Sequence, residues 1–302
     1  MEKTFLVTGG AGFIGTNLVE YLVKEGHTTI VVDDLSAGDA KRLPPEAIFH
    51  QLDIRDTAAL TKVCAGVDVV VHLAALPRVQ FSIASPVKTH DVNVNGTLSV
   101  LEAARAAGVK RVVYAASSSA YGNQDVLPLS INLSPQPKSP YALHKYIGEE
   151  YMRLWSALFG IETVSLRFFN VYGPHLDPDG PYALVIGRFL KLALEGKPLT
   201  ITGDGEQTRD FTHVSDVIVA VMHAGTLTSV GKGEVFNVGA GKQTSINELA
   251  RMIGGITEHI PSRLEPKHTM ADISLTKEQL EWEPKINLKE GITELKLQWG
   301  LS

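Results

Sequence analysis

The residues best suited to chemistry are Tyr141 and Lys145, the only Tyr-x-x-x-Lys pair in the chain. On a helix they would share one face, about 6 Å apart along the axis. An ordinary tyrosine has a pKa of about 10 and is a poor base at neutral pH, but a neighbouring ammonium group favours its phenolate. Tyr141 also falls in the first turn of a predicted helix, where negative charge is stabilised. The pair therefore predicts a base that removes a proton from a substrate hydroxyl while a hydride leaves the same carbon.

A run of three serines, Ser117 to Ser119, follows the predicted strand Arg111–Ala115. Ser117 would place its hydroxyl at the C-terminal edge of a sheet, within reach of the oxygen on which Tyr141 acts. The Tyr–Lys spacing alone says little, because it could arise by chance on a solvent-facing helix, and the serines could form an ordinary polar turn. Their joint position, at the end of the fifth strand and on the next helix, favours a catalytic set of Ser117, Tyr141 and Lys145.

A glycine-rich turn near the N-terminus predicts the site for a dinucleotide that would take this hydride. The segment after Thr4 reads as a buried strand, a turn and the start of a helix. Gly9 makes the tight turn, Gly12 lets backbone N–H groups approach a pyrophosphate, and Gly15 lets the helix pack on the strand. The positive end of the helix then faces the phosphates. The alternative is a glycine turn that serves packing alone.

The acidic residue at the end of the second predicted strand indicates which dinucleotide is bound. The strand Thr29–Val32 ends in Asp33, eighteen residues past Gly15. A carboxylate there accepts hydrogen bonds from the adenosine ribose and repels a 2′-phosphate, which favours NAD over NADP. The residues that would wrap the ribose are Asp34, Leu35, Ser36, Ala37 and Gly38. The positive charge of a bound nicotinamide would further favour the Tyr141 phenolate, and Lys145 would hold the nicotinamide ribose.

Composition and charge narrow the class of protein. The chain has 302 residues and a formal net charge of −5, with no basic run, so nucleic acid is not an expected partner. Its single cysteine, Cys64, excludes an internal disulfide and fits a reducing compartment. No apolar stretch approaches the ~20 residues of a membrane span and the first strand begins at once, so we expect a cytoplasmic protein. The ten histidines show no paired spacing, so no metal site is expected.

Strands and helices alternate along the chain, which predicts an α/β fold: a Rossmann-type doubly wound parallel sheet with a small C-terminal substrate-binding lobe. The predicted sheet strands are Phe5–Val7, Thr29–Val32, Ile48–Leu52, Val67–Leu73, Arg111–Ala115, Thr163–Phe169 and Val235–Val238. The predicted helices begin at Phe13, Pro86 and Pro140 and continue with Tyr182–Glu195, Asp216–Ala224, Ile246–Ile253 and Leu288–Trp299. Short strands are predicted at Leu199–Thr202 and Asp210–Val214.

The change of rhythm after Phe169 predicts two domains. The NAD-binding Rossmann domain would comprise residues 1–169 and about 210–238, and the substrate-binding lobe about 170–209 and 239–302. The pieces after Asn170 look too irregular to form a core of their own. We therefore expect them to pack over the carboxyl ends of the strands, where open α/β sheets bind ligands.

Seven motifs follow one another along essentially the whole chain. They are Gly9-x-x-Gly12-x-x-Gly15, Asp53-Ile54, His72-Leu73-Ala74-Ala75, Asn93-Val94-Asn95-Gly96-Thr97, Ser117-Ser118-Ser119, Tyr141-x-x-x-Lys145 and Arg167-Phe168-Phe169-Asn170-Val171-Tyr172-Gly173-Pro174. This set resembles the extended short-chain dehydrogenase/reductase family and, more narrowly, its NAD-dependent nucleotide-sugar 4-epimerases. The resemblance implies that Tyr141 removes the C4 hydroxyl proton while hydride passes to a tightly held NAD. The 4-keto sugar then turns over in the pocket, and hydride returns to its other face.

The resemblance also implies which residues contact the cofactor and which contact the substrate. Those with the cofactor are Gly9, Gly12, Phe13, Ile14, Gly15, Asp33, Asp34, Leu35, Ser36, Ala37, Gly38, Asp53, Ile54, Leu73, Ala74, Ala75, Asn93, Tyr141, Lys145 and Phe169. Those with a UDP-sugar substrate are Arg78, Ser117, Asn170, Leu184, Val185, Thr202, Arg209, Arg263, Thr269 and Asp272. Asn170 and Arg209 would meet the diphosphate, and Asp53-Ile54 would flank the adenine.

The C-terminal substrate segment departs from the family pattern. The usual Arg-x-Pro-Gly-acid becomes Arg263-Leu264-Glu265-Pro266-Lys267, and the alternative for Arg209 and Arg263 is a surface ion pair. By family likeness the residue three before Asp272 gates the sugar pocket. It is Thr269, whose small side chain predicts that UDP-glucose, UDP-galactose and their N-acetyl forms are all accepted.

Other reactions and assemblies stay open at this point. Ser118 and Ser119 supply none of the acid that the dehydratase branch usually carries, which makes dehydration less expected. A UDP-glucuronate 4-epimerase or decarboxylase is the runner-up, and a non-catalytic NAD-binding redox sensor is the alternative from another class. The helices Pro86–Ala107 and Ser139–Phe159 carry apolar positions on more than one face and pair across a dimer interface in relatives, so we expect a homodimer. The alternative is that the extra face packs on the sheet.

Overall fold

The structure, a computed structural model, describes residues 2–178, 184–261 and 267–301. Its strands are β1 (Thr4–Thr8), β2 (Thr28–Asp33), β3 (Ile48–Gln51), β4 (Val69–His72), β5 (Arg111–Ser117), β6 (Glu162–Phe168), β7 (Val171–Tyr172), β8 (Leu199–Thr202), β9 (Thr208–Arg209), β10 (Thr212–His213), β11 (Lys232–Val238), β12 (Thr244–Ser245) and β13 (Thr257–Ile260). Its helices are α1 (Phe13–Lys24), α2 (Thr57–Val63), α3 (Val79–Ala84), α4 (Pro86–His90), α5 (Gly96–Ala106), α6 (Pro140–Phe159), α7 (Val185–Leu194), α8 (Val214–Thr226), α9 (Ile246–Ile253), α10 (Ser274–Gln279) and α11 (Leu288–Gln298).

Seven strands form one parallel sheet in the order β11-β6-β5-β4-β1-β2-β3. Read from β3, the order reverses direction between β1 and β4, which is the doubly wound arrangement predicted from the alternation of elements. The fold class is confirmed. Because all seven strands are parallel, their carboxyl ends lie along one edge, and Thr8, Asp33, His72 and Ser117 all lie at that edge.

The predicted elements match the observed ones closely, with a few differences. The helix predicted from Pro86 is continuous but contains a π-helical turn, Asp91–Asn95, between α4 and α5. Helices α2, α3 and α10 were not predicted. The strand predicted at Asp210–Val214 is only the two-residue β10, because Val214 already begins α8.

Two apolar layers cover the faces of the sheet, as the near-continuous apolar strands require. On one face Phe5 and Val7 pack with α1 and α8, and on the other Leu6 packs with α2, α5 and α6. A third buried cluster lies among the C-terminal elements and includes Phe189, Leu199 and Leu249. The prediction that these pieces form no core of their own was therefore wrong: α7, α9 and α11 pair their apolar faces over β8.

None of the described helices is both long and apolar enough to cross a bilayer.

Candidate active site

The glycine turn is shaped by close contacts at two of its glycines. Gly9 has φ +70°, and a Cβ there would lie 2.7 Å from the Ala74 nitrogen. A Cβ at Gly15 would lie 2.2 Å from the Gly9 oxygen, so the helix can approach the strand only at a glycine. Helix α1 begins after Gly12, which supplies no side-chain cap for the first N–H groups of the helix. N–H groups at the start of a helix can bind a pyrophosphate, and this contact stays a prediction.

Asp33 binds the glycine turn and the segment predicted to wrap the ribose. Its carboxylate accepts the Ala11 N–H at 3.0 Å through Oδ2 and the Leu35 N–H at 2.8 Å through Oδ1. Gly38 returns to Ala11, where a Cβ would lie 2.9 Å from the Ala11 Cβ, so Asp34 to Gly38 fold back over the turn. Burial raises the pKa of Asp33 and the two N–H groups oppose that shift. Each oxygen keeps a second lone pair, which suits two ribose hydroxyls.

The residues predicted to flank the adenine are committed to other contacts. Ile54 is buried in the core with Leu60 and Val100 and packs against Gly96, so its side chain serves packing. The Asp53 carboxylate pairs with Arg55, which also pairs with Asp91, and this Arg55 contact lowers the pKa of Asp53. Contact between Asp53-Ile54 and an adenine would therefore come mainly through the backbone.

Asn93 lies in the π-helical turn and holds the loop that follows β4. Its amide accepts from the Leu76 nitrogen at 2.7 Å and donates to the Leu76 oxygen at 3.1 Å. These bonds fix the loop of Leu73, Ala74 and Ala75 beside Gly9. Through these bonds Asn93, which is only 2% exposed, holds the loop that is predicted to line the cofactor site.

A chain of hydrogen bonds under the same loop passes through His72. Its Nδ1 lies 2.7 Å from Thr8 Oγ1, and its Nε2 lies 2.9 Å from Thr97 Oγ1, whose hydroxyl donates to the Asn93 oxygen. Since Thr97 uses its proton on Asn93, it accepts from His72, which places the imidazole proton on Nε2. Burial lowers the pKa of His72 to about 3, so this ring is neutral.

The structure brings the predicted catalytic residues together. Ser117 ends β5, and Tyr141 and Lys145 lie in the first turns of α6, which is capped by Ser139 Oγ bonded to the Ala142 nitrogen at 3.2 Å. The Ser117 hydroxyl lies close enough to the Tyr141 side chain to favour its phenolate, which lowers the pKa of the phenol. The Lys145 Nζ donates to the Ala115 oxygen at 2.7 Å. The three side chains thus meet at the carboxyl edge of the sheet, where β5 ends and α6 begins.

Burial shifts the pKa values of both Lys145 and Tyr141. Burial lowers the pKa of Lys145 to about 7, with Glu149 opposing the shift. Burial raises the pKa of Tyr141 above its usual 10, and the nearby Ser117 hydroxyl opposes that shift. The prediction that Lys145 and a bound nicotinamide together favour the phenolate concerns the NAD-loaded protein and stays a prediction. Lys145 donates a hydrogen bond to the Ala115 oxygen, and burial disfavours its charged ammonium form.

Two contacts near Tyr141 were missed by sequence reasoning. Ser82, on α3, is fully buried and accepts the Tyr141 N–H at 3.0 Å, while its hydroxyl donates to the Val79 oxygen. Glu149, one turn beyond Lys145, forms a buried two-pronged pair with Arg167 at 2.9 and 2.7 Å. The Glu149 position was visible as the next residue on the Tyr141–Lys145 face, whereas nothing near Ser82 in the sequence indicates its partner.

Three of the predicted substrate residues, Asn170, Arg209 and Thr269, lie on the segments that follow β6. Asn170 donates to the Asp210 oxygen at 3.3 Å, and Arg209 Nη1 donates to the Thr208 oxygen at 2.9 Å. The Thr269 nitrogen donates to the Thr208 oxygen at 3.3 Å, which joins the residue predicted to gate the sugar pocket to β9.

The remaining predicted residues differ in exposure and setting. Thr202 ends β8, Leu184 caps α7 ahead of Val185, Arg78 caps α3, and Asp272 accepts the Ser274 N–H at 3.0 Å. Phe169 is fully buried against Tyr121, so its side chain packs in the core and is not open to a ligand. Arg263 lies outside the described residues.

Among the described residues, no group of three or more His, Cys, Asp or Glu side chains is arranged to hold a metal ion.

Comparison with known proteins gives matches along nearly the whole chain. The NAD dependent epimerase/dehydratase family matches residues 5–239. A UDP-glucose 4-epimerase of Mycolicibacterium smegmatis is 39% identical over 302 residues, covering 95% of each chain. The structure of a Thermotoga maritima UDP-glucose 4-epimerase with UDP-glucose is similar with a TM-score of 0.93, at 35% identity and 98% coverage of both chains. A Methanobrevibacter ruminantium UDP-N-acetylglucosamine 4-epimerase in complex with UDP-N-acetylmuramic acid is similar with a TM-score of 0.91, at 32% identity, covering 98% of this chain and 99% of that one.

The buried neutral His72 predicts a specific loss of stability in acid. Between pH 3 and 6.5 the unfolded chain binds a proton at this residue that the folded chain does not, so the free energy of unfolding falls as the pH drops below 6.5. One such proton changes it by about 1.4 kcal/mol per pH unit. His72→Gln does not titrate and should reduce that slope by about this amount in urea unfolding below about pH 5.5, where the unfolded histidine is almost fully protonated. His50→Gln, at an exposed histidine, serves as control; equal slopes for parent and His72→Gln would contradict the assignment.

Proposed function

The chain belongs to the NAD dependent epimerase/dehydratase family, and from that premise we propose that it is an isomerase that inverts C4 of UDP-linked sugars. The observation that carries the proposal is the meeting of Ser117, Tyr141 and Lys145 at the edge of the sheet that also holds the glycine turn. NAD is the cofactor, and the uncapped start of α1 and the Asp33 carboxylate fit its pyrophosphate and adenosine ribose.

Tyr141 is the proton acceptor and donor of the proposed reaction. Bound NAD⁺ supplies a reversible hydride acceptor and a positive ring that favours the phenolate. Tyr141 takes the proton of the C4 hydroxyl as the C4–H bond breaks and its electron pair leaves as hydride, which gives a ketone at C4. When the other face of that ketone receives the hydride, Tyr141 returns the proton to the C4 oxygen. Atoms and charge are then restored and only the configuration at C4 has changed.

Ser117 and Lys145 have different tasks in this scheme. The Ser117 hydroxyl is proposed to donate to the Tyr141 oxygen, and its proximity lowers the pKa of the phenol relative to what burial alone would give. Lys145 is held by the Ala115 carbonyl, with its side chain only 4% exposed, and its remaining N–H groups are proposed to hold the nicotinamide ribose. Geometry rather than a large shift in the pKa of Tyr141 is therefore the main contribution of this lysine.

The sugar is proposed to lie between this edge and the C-terminal segments, with both plain and N-acetyl hexoses accepted. Thr269 is small, and one relative of the same fold is named a UDP-N-acetylglucosamine 4-epimerase. Asn170 and Arg209 are proposed to bind the diphosphate. Their side chains donate to the backbone oxygens of Asp210 and Thr208, which holds both residues beside β9.

We also propose a cytoplasmic homodimer. Helix α6 presents an outward apolar stripe at helical spacing, formed by Leu143, Ile147, Leu154 and Leu158, and Leu158 is 67% exposed. Val87 on the neighbouring α4 is 82% exposed. A stripe of this kind on two adjacent helices supports pairing with a second copy of the chain. The cytoplasm is supported by Cys64, whose burial raises the pKa of its thiol to about 11 and leaves it unreactive.

The reaction can be tested with the purified protein and a panel of UDP-sugars, with no added reductant. UDP-glucose should convert to UDP-galactose, with products identified by NMR, and Tyr141→Phe should slow turnover at least 100-fold because the proton acceptor is gone. Tyr146→Phe, one position past Lys145 on the same helix, is the matched control. Release of CO₂ from UDP-glucuronate would favour a decarboxylase, and NAD binding with no turnover of any sugar would favour a redox sensor.

Thr269→Tyr tests the size of the sugar pocket. The larger ring should block the N-acetyl group at C2, so turnover of UDP-N-acetylglucosamine should fall at least tenfold while UDP-glucose is still converted. Thr257→Tyr, at an exposed position of β13, is a control for the added bulk. Unchanged turnover of the N-acetyl sugar would show that Thr269 is not its gate.

The dimer can be tested by light scattering at micromolar concentration. The parent should have twice the chain mass of 32.7 kDa, and Leu154→Asp with Leu158→Asp should give the monomer because charges would be buried in the interface. Leu297→Asp, at a 73% exposed position of α11, should leave the mass unchanged. A monomeric parent would exclude the dimer.

A further inference from the structure

The turn that follows Ser117 binds the Ser117 hydroxyl oxygen twice. The Ser119 hydroxyl donates to Ser117 Oγ at 2.9 Å, and the Ser119 backbone N–H donates to the same oxygen at 3.2 Å. Both donors come from one residue in the 3₁₀ turn Ser118–Tyr121. Ser119 takes no direct part in the proposed reaction.

These two bonds decide what the Ser117 hydroxyl can do. A serine hydroxyl has one proton to donate and two lone pairs that accept. With both lone pairs taken by Ser119, Ser117 has only its proton left, so a bond between Ser117 and the nearby Tyr141 oxygen must be one that Ser117 donates. Tyr141 must therefore be the acceptor of that bond.

We infer that Ser119 is a positioning residue that fixes the direction of the hydrogen bond between Ser117 and Tyr141. It holds the Ser117 proton toward the tyrosine oxygen and prevents the reverse arrangement, in which Tyr141 would donate to Ser117. Ser119 thereby acts on the catalytic base without touching it. The inference rests on the proposed role of Tyr141 as that base.

The direction of this bond matters because it selects a charge state. A hydrogen bond donated to a phenolate stabilises the ionised form, whereas one donated by a phenol stabilises the neutral form. With alanine at residue 119, one lone pair of Ser117 is freed, because only the backbone N–H remains. Tyr141 can then donate to Ser117, and its pKa should rise.

The other groups that act on Tyr141 do not impose such a direction. Lys145 lies one turn further along α6 and donates to Ala115, and Glu149 lies a further turn along and pairs with Arg167. From β5, Tyr114 has a pKa raised well above its usual value by burial and remains neutral. Helix α3 and the turn Ser118–Tyr121 carry no carboxylate or cation. Among the described residues, Ser119 alone sets the acceptor state of Ser117.

The test is the ionisation of Tyr141 in the NAD-loaded protein without sugar. The near-ultraviolet phenolate signal of Tyr141 is obtained by subtracting the titration of Tyr141→Phe from that of the parent. In Ser119→Ala the midpoint should rise by about one pH unit, a tenfold loss of phenolate at a given pH below it. Ser119→Thr keeps a hydroxyl and should restore the parent midpoint. Ser118→Ala, in the same turn but with no bond to Ser117, should also titrate like the parent.

The double variant separates direction from general damage to the turn. If Ser119 acts through Ser117, Ser117→Ala with Ser119→Ala should titrate like Ser117→Ala alone. An unchanged midpoint in Ser119→Ala, an equal shift in Ser118→Ala, or additive shifts in the double variant would each overturn the inference. The titration needs no turnover. A shifted midpoint in a protein that converts no UDP-sugar would leave the inference standing while the proposed function fails.

Discussion

The site depends on how closely α6 packs against β5. A Cβ at Gly148 would lie 2.3 Å from the Tyr114 hydroxyl, so only glycine lets the helix come this near the strand. At that separation the Lys145 Nζ reaches the Ala115 oxygen at 2.7 Å. A sheet carbonyl moves only with its strand, so the lysine is located by the most rigid part of the fold. Tyr141, one turn earlier, is placed against Ser117 at the end of the same strand.

A buried ion pair under this contact extends it toward the C-terminal segments. Removing two charges from water costs several kcal/mol per ion, and their attraction offsets that cost without adding much, so stability alone does not explain Glu149 and Arg167. Glu149 opposes the lowering of the pKa of Lys145. Arg167 stacks on Tyr121 at 4.5 Å, and the Tyr121 hydroxyl donates to Asn237. Asn237 in turn donates to the backbone oxygens of Leu129 and Asp272, which joins the lysine's surroundings to the substrate side.

What the sequence predicted and what it missed follow from how local each feature is. The glycine turn, Asp33 and the start of α6 at Ser139 were predicted because strand, turn and cap chemistry depend on neighbouring residues. The hydrogen bond from the Tyr141 N–H to Ser82 was missed because the two residues lie 59 positions apart and meet only when α3 packs on α6. The burial of Tyr141 and Lys145, which raises the pKa of the first and lowers that of the second, was missed for the same reason, since spacing shows which groups are close but not how deeply both are buried. Phe169 and Ile54 sit in recognisable motifs, yet their side chains face the core, because a motif position does not fix the side of the strand or loop that a ligand occupies.

The buried carboxylate of Asp210, which has no part in the proposed reaction, holds C-terminal segments of the candidate site together. Asp210 accepts the N–H groups of Ala240, Gly241 and Ala271 at 2.7, 3.0 and 2.9 Å, and burial raises its pKa to about 6, so it is ionised at neutral pH. These bonds join the end of β11 to the segment that carries Thr269 and Asp272. An inversion at C4 requires a ketone that can present either face to the same hydride donor, while the proton acceptor stays in place for both passages. Fixing Tyr141 through the sheet, and the sugar-side segments through one buried anion, separates those two demands. The base then stays fixed to β5, and the segments that Asp210 holds border the proposed sugar site.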